Sequence, residues 1–512
     1  MKTPILGSSY VARSINAADN RMVNMFPEVI PEGGKEAAFL NRAPGLNFLQ
    51  TVGDGPIRAL WAHQTNGSDF YVVSGQKVYK LESMTGTPIL LGTVSGSGPV
   101  SIADNGTQLF FACNPDAFIY DEAANTFTQI TDPAFAGAVT VGYLDGYFVY
   151  NEPNSQKVWV TDLYNGLIPQ EFASAEGSPD GLVAVNVDHR EAWLFGTDSV
   201  EVWYDAGIAP PDFPLTRIQG AFNEIGCVAA FSVAKLDNGL FWLGTDARGQ
   251  GIVYRANGYT GARVSTHAVE YAIAQYGNIS DAVAYTYQQE GHAFYVISFP
   301  TGNATWVYDV ATKAWHERAG FDNGEFTRHR SNCQCNFGGN TIVGDYQNGN
   351  IYTLDLDTYA DNGQIQKWLR SWRALPTGQN TLKRTAHHSL QLDCQSGTGL
   401  NLYPGYEPEE LKTEAGLELV TEDGLYLTTV GYPAAPGYNP QVMLRWSDDG
   451  GHTWSNETWA SMGKLGEYYR RVFWRRLGMT LKLRDRVYEI SGTDPVKLAV
   501  MGAELLLSPT NA

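Results

Sequence analysis

The sequence predicts an all-β protein: a β-propeller-like ring of about seven blades followed by a β-rich C-terminal domain. Three observations lead there. The composition holds 54 Gly, 28 Tyr and 13 Trp with only 17% charged residues, which favours turns and aromatic strands over helices. An aromatic strand, a turn and a second strand with a central Tyr recur seven times. The recurrence stops near Gln364, where a different pattern begins.

The first unit reads Phe70-Tyr71-Val72-Val73, then Lys77-Val78-Tyr79. The second reads Leu109-Phe110-Phe111-Ala112, then Phe118-Ile119-Tyr120. The third pairs Tyr147-Phe148-Val149-Tyr150 with Val158-Trp159-Val160-Thr161, and the fourth Ala192-Trp193-Leu194-Phe195 with Val202-Trp203-Tyr204. The fifth, sixth and seventh centre their second runs on Tyr254, Tyr308 and Tyr352. Aligned on Tyr79, Tyr120, Thr161, Tyr204, Tyr254, Tyr308 and Tyr352, the steps are 41, 41, 43, 50, 54 and 44 residues. Periods of about 40 to 50 residues with about four short strands each mark propeller blades. One four-stranded sheet cannot bury both faces alone; radial packing buries them and leaves only short edges. The aligned Tyr residues are therefore expected on strands packed between blades. A stack of β-sandwiches would also give regular strands; regular aromatic spacing over seven units favours the propeller. Asp145-Gly146 and Asn238-Gly239 sit where two-residue hairpin turns belong.

These units place a propeller over residues 51–362. Residues 1–50 either form an arm or supply a strand that closes the ring. Residues 363–512 form the β-rich C-terminal domain, with Ile365–Leu369 and Lys383–Leu392 reading as strands and an acidic insertion near 401–440. Charge then changes sign. Residues 401–463 hold ten acids and two bases, net −8, whereas 464–486 hold eight bases and two acids, net +6. The cationic run contains Arg470, Arg471, Arg475, Arg476, Arg484 and Arg486. Its arginines are either a solvated strand face or a candidate assembly surface for an acidic neighbour, such as another copy of the chain. A DNA contact is disfavoured, because the formal charge of −19 repels nucleic acid over most of the surface.

The motifs that carry chemistry elsewhere are weak here. Ser447-x-Asp449-x-Gly451-x-Thr453-Trp454 fits the Asp-box, in which Asp and Gly shape a hairpin turn and Trp packs beneath it. It resembles turns of sialidase propellers, where the box lies away from the reacting groups, so it gives no evidence of glycoside hydrolysis. Carboxylate pairs occur without a context that would set two pKa values apart. Cys333-Gln334-Cys335 puts two thiols on one strand face, but no second Cys/His pair at zinc-knuckle spacing accompanies it. No cofactor, metal or catalytic residue is expected. The five cysteines read as reduced thiols of a chain assembled in a cytosol, and Met1–Ser14 has no apolar stretch of signal-peptide length.

Longer strings are more specific. Val23-Asn24-Met25-Phe26-Pro27-Glu28 with Ala43-Pro44-Gly45-Leu46 resembles the opening of the packaged-DNA stabilisation proteins of short-tailed phages, also called tail hub or nozzle proteins. Glu201-Val202-Trp203-Tyr204-Asp205, Phe241-Trp242-Leu243-Gly244-Thr245-Asp246, Thr305-Trp306-Val307-Tyr308-Asp309 and Arg471-Val472-Phe473-Trp474-Arg475-Arg476 are similar to that family too. The resemblance implies a structural virion protein without enzymatic residues. It implies a homohexameric ring below the portal and adaptor ring, a tail needle or plug, fibres or spikes docked outside, and viral DNA in the lumen. Assembly would take place in the host cytoplasm. Two rivals are a sialidase-like hydrolase and a carbohydrate-binding propeller of a fibre or surface layer.

Overall fold

A computed structural model describes residues 1–509 apart from 64–68, 176, 179, 248, 380–382, 402–410, 415, 423–426, 428–435 and 482–485. It divides into two compact units: Leu46–Leu354, and Met1–Gly45 together with Asp355–Ala512. The units divide between Gly45 and Leu46 and between Leu354 and Asp355. Most of the acidic stretch 401–440 lies outside the described residues.

Leu46–Leu354 is a propeller in which seven blades are described. The first six are built in chain order, as in the second: Ser101–Asp104, Gln108–Ala112, Ala117–Asp121 and Thr126–Gln129. The seventh takes three strands from Ser331–Phe337, Asn340–Asp345 and Asn350–Asp355, and its fourth strand is Gly45–Thr51. The start of the propeller thus completes its last blade. Val52 N donates to the Gly349 carbonyl at 2.6 Å, and Thr51 Oγ1 to Asn350 Oδ1 at 2.7 Å. Ring closure of this kind covers the two apolar blade faces that an open array would leave exposed.

Apolar alternation fixes which face of each blade meets which neighbour. In the second blade Tyr120 packs with Tyr71 and Val78 of the first, while Ile119 packs with Phe148 and Tyr150 of the third. In the fifth, Tyr254 faces Trp193 and Phe195 of the fourth, and Val253 faces Tyr295 of the sixth. The expected alignment fails in one unit. Tyr204 is 42% exposed, and Trp203 occupies the position facing the third blade. Side chains alternate along a strand, so misplacing the register by one residue puts the wrong member of an aromatic pair inside. One turn also moves: Leu236 pairs with Gly239, so the hairpin turns through Asp237-Asn238, both at positive φ, and Gly239 already belongs to the strand.

The other unit packs two sheets. One has the order Val472–Arg475, Thr385–Cys394, Ala499–Pro509, Ala38–Arg42 and Met25–Val29. The second has Met22–Val23, Trp368–Arg373, Val487–Gly492, Gln441–Ser447 and Thr458–Ser461. Leu390, Leu505 and Trp474 from the first meet Trp372, Leu444 and Ile490 from the second in one core. Arg42 is buried and tied by carbonyls rather than a carboxylate. Its Nη1 donates to Asp494 O at 2.6 Å and Val496 O at 3.0 Å, and its Nη2 to Gln366 O at 2.7 Å. Burial pushes its pKa down to about 10, and the carbonyls take the hydrogens that water would otherwise accept.

Candidate assembly surface

The cationic run splits into two environments. Val472–Arg475 is an edge strand paired with Ser389–Leu392. Val472 and Trp474 point into the core, so Arg471, Phe473 and Arg475 share the outer face. Arg470, Arg471, Arg475 and Arg476 are exposed, and among the described residues none of them forms an ion pair. The Arg475 guanidinium lies 5.0 Å from the Phe473 ring centroid, over its face. Arg484 lies outside the described residues.

Arg486 does not belong to this surface. Its side chain is 1% exposed. Ser447 pairs with Val487, which brings Asp448 opposite Arg486. Arg486 Nε donates to Asp448 Oδ1 at 2.6 Å and Nη2 to Oδ2 at 2.8 Å, a two-pronged contact. Nη1 donates to the Leu477 carbonyl at 2.6 Å. Burial alone would lower the Arg486 pKa; Asp448 and Tyr488 together outweigh it and hold the value above normal.

That contact fastens the Asp-box turn. Ser447 Oγ donates to Asp449 Oδ1 at 2.6 Å and accepts from Gly451 N at 2.8 Å. Asp449 also accepts from His452 N, Thr453 N and Thr453 Oγ1 at 3.0, 2.9 and 2.6 Å. Hydrogen bonds from the Ser447 and Thr453 hydroxyls hold the Asp449 carboxyl well below the usual range. Gly451 sits at φ +106°, a conformation that side chains other than hydrogen rarely adopt. Trp454 is half-buried, with the Arg445 guanidinium 4.7 Å from its ring centroid. The box lies in the two-sheet unit, outside the propeller, and its carboxylate is consumed by the turn.

Two features escaped sequence reasoning. Tyr468 and Tyr469 are 72% and 82% exposed, immediately before the arginines. Their signal was an aromatic pair between Gly466 and Arg470-Arg471, in a stretch read only for charge. The propeller also surrounds an open central cavity of about 780 Å³ lined by the innermost segments of all seven blades, among them Trp61, Asp104, Asn186 and Gln334. Trp61 Nε1 donates to Asp104 Oδ2 at 2.7 Å across two of these blades. Cys335 is buried in the core between the seventh and first blades, and Cys333 packs against it. Among the described residues, no group of three or more His, Cys, Asp or Glu is placed to hold a metal ion.

The geometry therefore offers a propeller, a two-sheet unit and a cationic edge. Comparison with protein families matches this arrangement twice: residues 1–359 fit the family described as bacteriophage P22 Gp10, beta-propeller, and residues 410–507 the bacteriophage P22 Gp10 beta-sandwich. The chain belongs to the bacteriophage P22 Gp10 family. It is thus a phage tail structural protein and a component of the virion tail, which assembles with other virion proteins. A comparison with curated proteins finds no match. Solved structures similar to the Gp10-family chain include the computationally designed Ika8 protein, 12% identical, covering 69% of this chain and 98% of that one at a TM-score of 0.38. Virginiamycin B lyase from Staphylococcus aureus is 9% identical, covering 60% of this chain and 97% of its own at 0.41.

Proposed function

We propose that the chain is a tail hub of a short-tailed phage. Six copies form a ring below the portal and adaptor, retain packaged DNA and conduct it during ejection. A tail needle or plug closes the ring, fibres or spikes dock outside, and the parts assemble in the host cytoplasm. The observation that carries this reading is the match of both structural units, in order, to one phage tail family.

Two physical features support it. The net charge of −19 lets DNA slide past without sticking. The 780 Å³ cavity inside each propeller is the size of a small-molecule pocket, so duplex DNA needs a lumen built between copies. A ring of identical chains supplies that lumen.

The test removes the protein. Particles assembled without it should package DNA and then lose it to added nuclease, and purified protein should restore protection. Nuclease-resistant, stable particles in its absence would refute DNA retention.

A further inference from the structure

We infer that the outer face of the edge strand Val472–Arg475, with the turn that precedes it, is a docking surface for an acidic surface of a second copy of this chain. The inference rests on the tail-hub reading and names the contact that would build its ring.

The surface combines three properties. The first is unspent positive charge: Arg470, Arg471, Arg475 and Arg476 are exposed and form no ion pair among the described residues, in a chain of net charge −19. Such a patch is electrostatically complementary to the body of its own kind, and unlike patches that meet head to tail close rings. The second is exposed apolar area in the same place. Arg475 and Leu506 both stand opposite Ser389 in the sheet, so they share one face, and Leu506 is 61% exposed. Tyr468 and Tyr469 are exposed on the turn that leads into the strand. Tyrosine and arginine around a small apolar patch are the composition of interface hot spots.

The third property is order before binding. The turn bearing the two tyrosines is held by its own backbone and by a neighbouring segment. Glu467 N donates to Lys464 O at 3.0 Å, and Arg470 N to Glu467 O at 3.0 Å. Gly466 N donates to Gly397 O at 3.1 Å, and Ser396 Oγ to the Tyr468 carbonyl at 2.9 Å. Aromatic anchors presented on a pinned turn lose little entropy on docking. Charge on an edge strand can by itself serve to block unwanted strand pairing. That role accounts for Arg471 and Arg475 but gives no reason to expose two tyrosines and a leucine beside them. A DNA phosphate would use the arginines alone and would meet the field of the acidic body.

The test is a cross-link in assembled particles. Replacing Tyr469 with photoreactive p-benzoylphenylalanine keeps an exposed aromatic ring and should leave folding and incorporation intact. Irradiation should yield an adduct of twice the chain mass. The double variant Arg471→Glu with Arg475→Glu should cut the yield of that adduct at least tenfold, while Arg471→Lys with Arg475→Lys should keep it within about twofold. An adduct with another tail protein, an adduct with DNA, no adduct, or an unchanged yield in the Glu variant would each overturn the inference while the tail reading stands. Absence of the chain from particles would overturn both.

Discussion

Arg486 and Arg475 lie eleven positions apart in one cationic run, yet the structure gives them opposite energetic roles. Arg486 is buried, pairs with Asp448 through two bonds and caps the Leu477 carbonyl. Removing one partner of a buried pair costs about 3 to 5 kcal/mol, much of it from the charge left behind. The Asp448 side chain keeps 15% exposure, so water relieves part of that burden and Arg486→Ala should cost about 3 kcal/mol, the lower end of that range. Arg486→Lys keeps the charge and loses the fork, at about 1.5 to 3 kcal/mol. Arg475→Ala, on the exposed face, should stay within about 0.5 kcal/mol. Urea denaturation read by tryptophan fluorescence reports on this unit through Trp372, Trp446 and Trp474. With a slope of about 2 kcal/mol per M, a 3 kcal/mol loss lowers the midpoint by about 1.5 M. Adding Asp448→Ala to Arg486→Ala should cost less than the sum of the two single variants. An Arg486→Ala variant within about 0.5 kcal/mol of the parent, or additivity in the double variant, would refute the lock.

Three further outcomes follow from the same geometry. His63 of the first blade stands 3.4 Å from Asp104 and 2.9 Å from Glu122 of the second, with Tyr71 donating to Glu122. The Asp104 hydrogen bond, aided by Glu122 and opposed by burial, pushes the His63 pKa up to about 9. Its stabilisation is complete below the unfolded value of about 6.5 and is lost as pH rises through about 9, so the parent should lose its advantage over His63→Gln across that window; a constant difference from pH 6 to 9.5 would contradict this. Tyr308→Ala, at a 7% exposed position against Trp315, should cost about 3 to 5 kcal/mol, and Tyr204→Ala less than about 1 kcal/mol; equal thermal or urea shifts would show the blade register to be wrong. Burial pushes the thiols of Cys113, Cys227 and Cys335 up to about 12, so they should resist a thiol reagent at pH 8 in the native protein and react after denaturation; rapid native labelling of these three would refute their burial.

The repeat was legible because seven equivalent interfaces ask for a similar side chain at one place in each third strand. Tyr120, Tyr254 and Tyr308 meet that demand, and the ring follows from their spacing. Where two aromatics adjoin, as in Trp203-Tyr204, composition cannot decide which one faces in; only the pairing of Ala192 with Trp203 does. Asp237-Asn238-Gly239 poses the same ambiguity with three turn-forming residues in a row. The Arg486 partner lies 38 residues earlier, across a strand pairing that the charge run does not encode. Read as charge alone, Arg470 to Arg486 is one surface; read with the register, its last arginine is a buried clamp. The exposed Tyr468-Tyr469 pair was hidden for the opposite reason, since aromatics in a β-rich sequence are expected inside.

The central claim is that this chain forms the ring of a phage tail, and its copy number and arrangement in the virion test that most directly. Quantitative mass spectrometry of purified particles, with an image of the tail along its axis, should show six copies in one closed ring below the portal. Absence from the virion, or a stoichiometry and arrangement incompatible with a six-fold ring, would contradict the account.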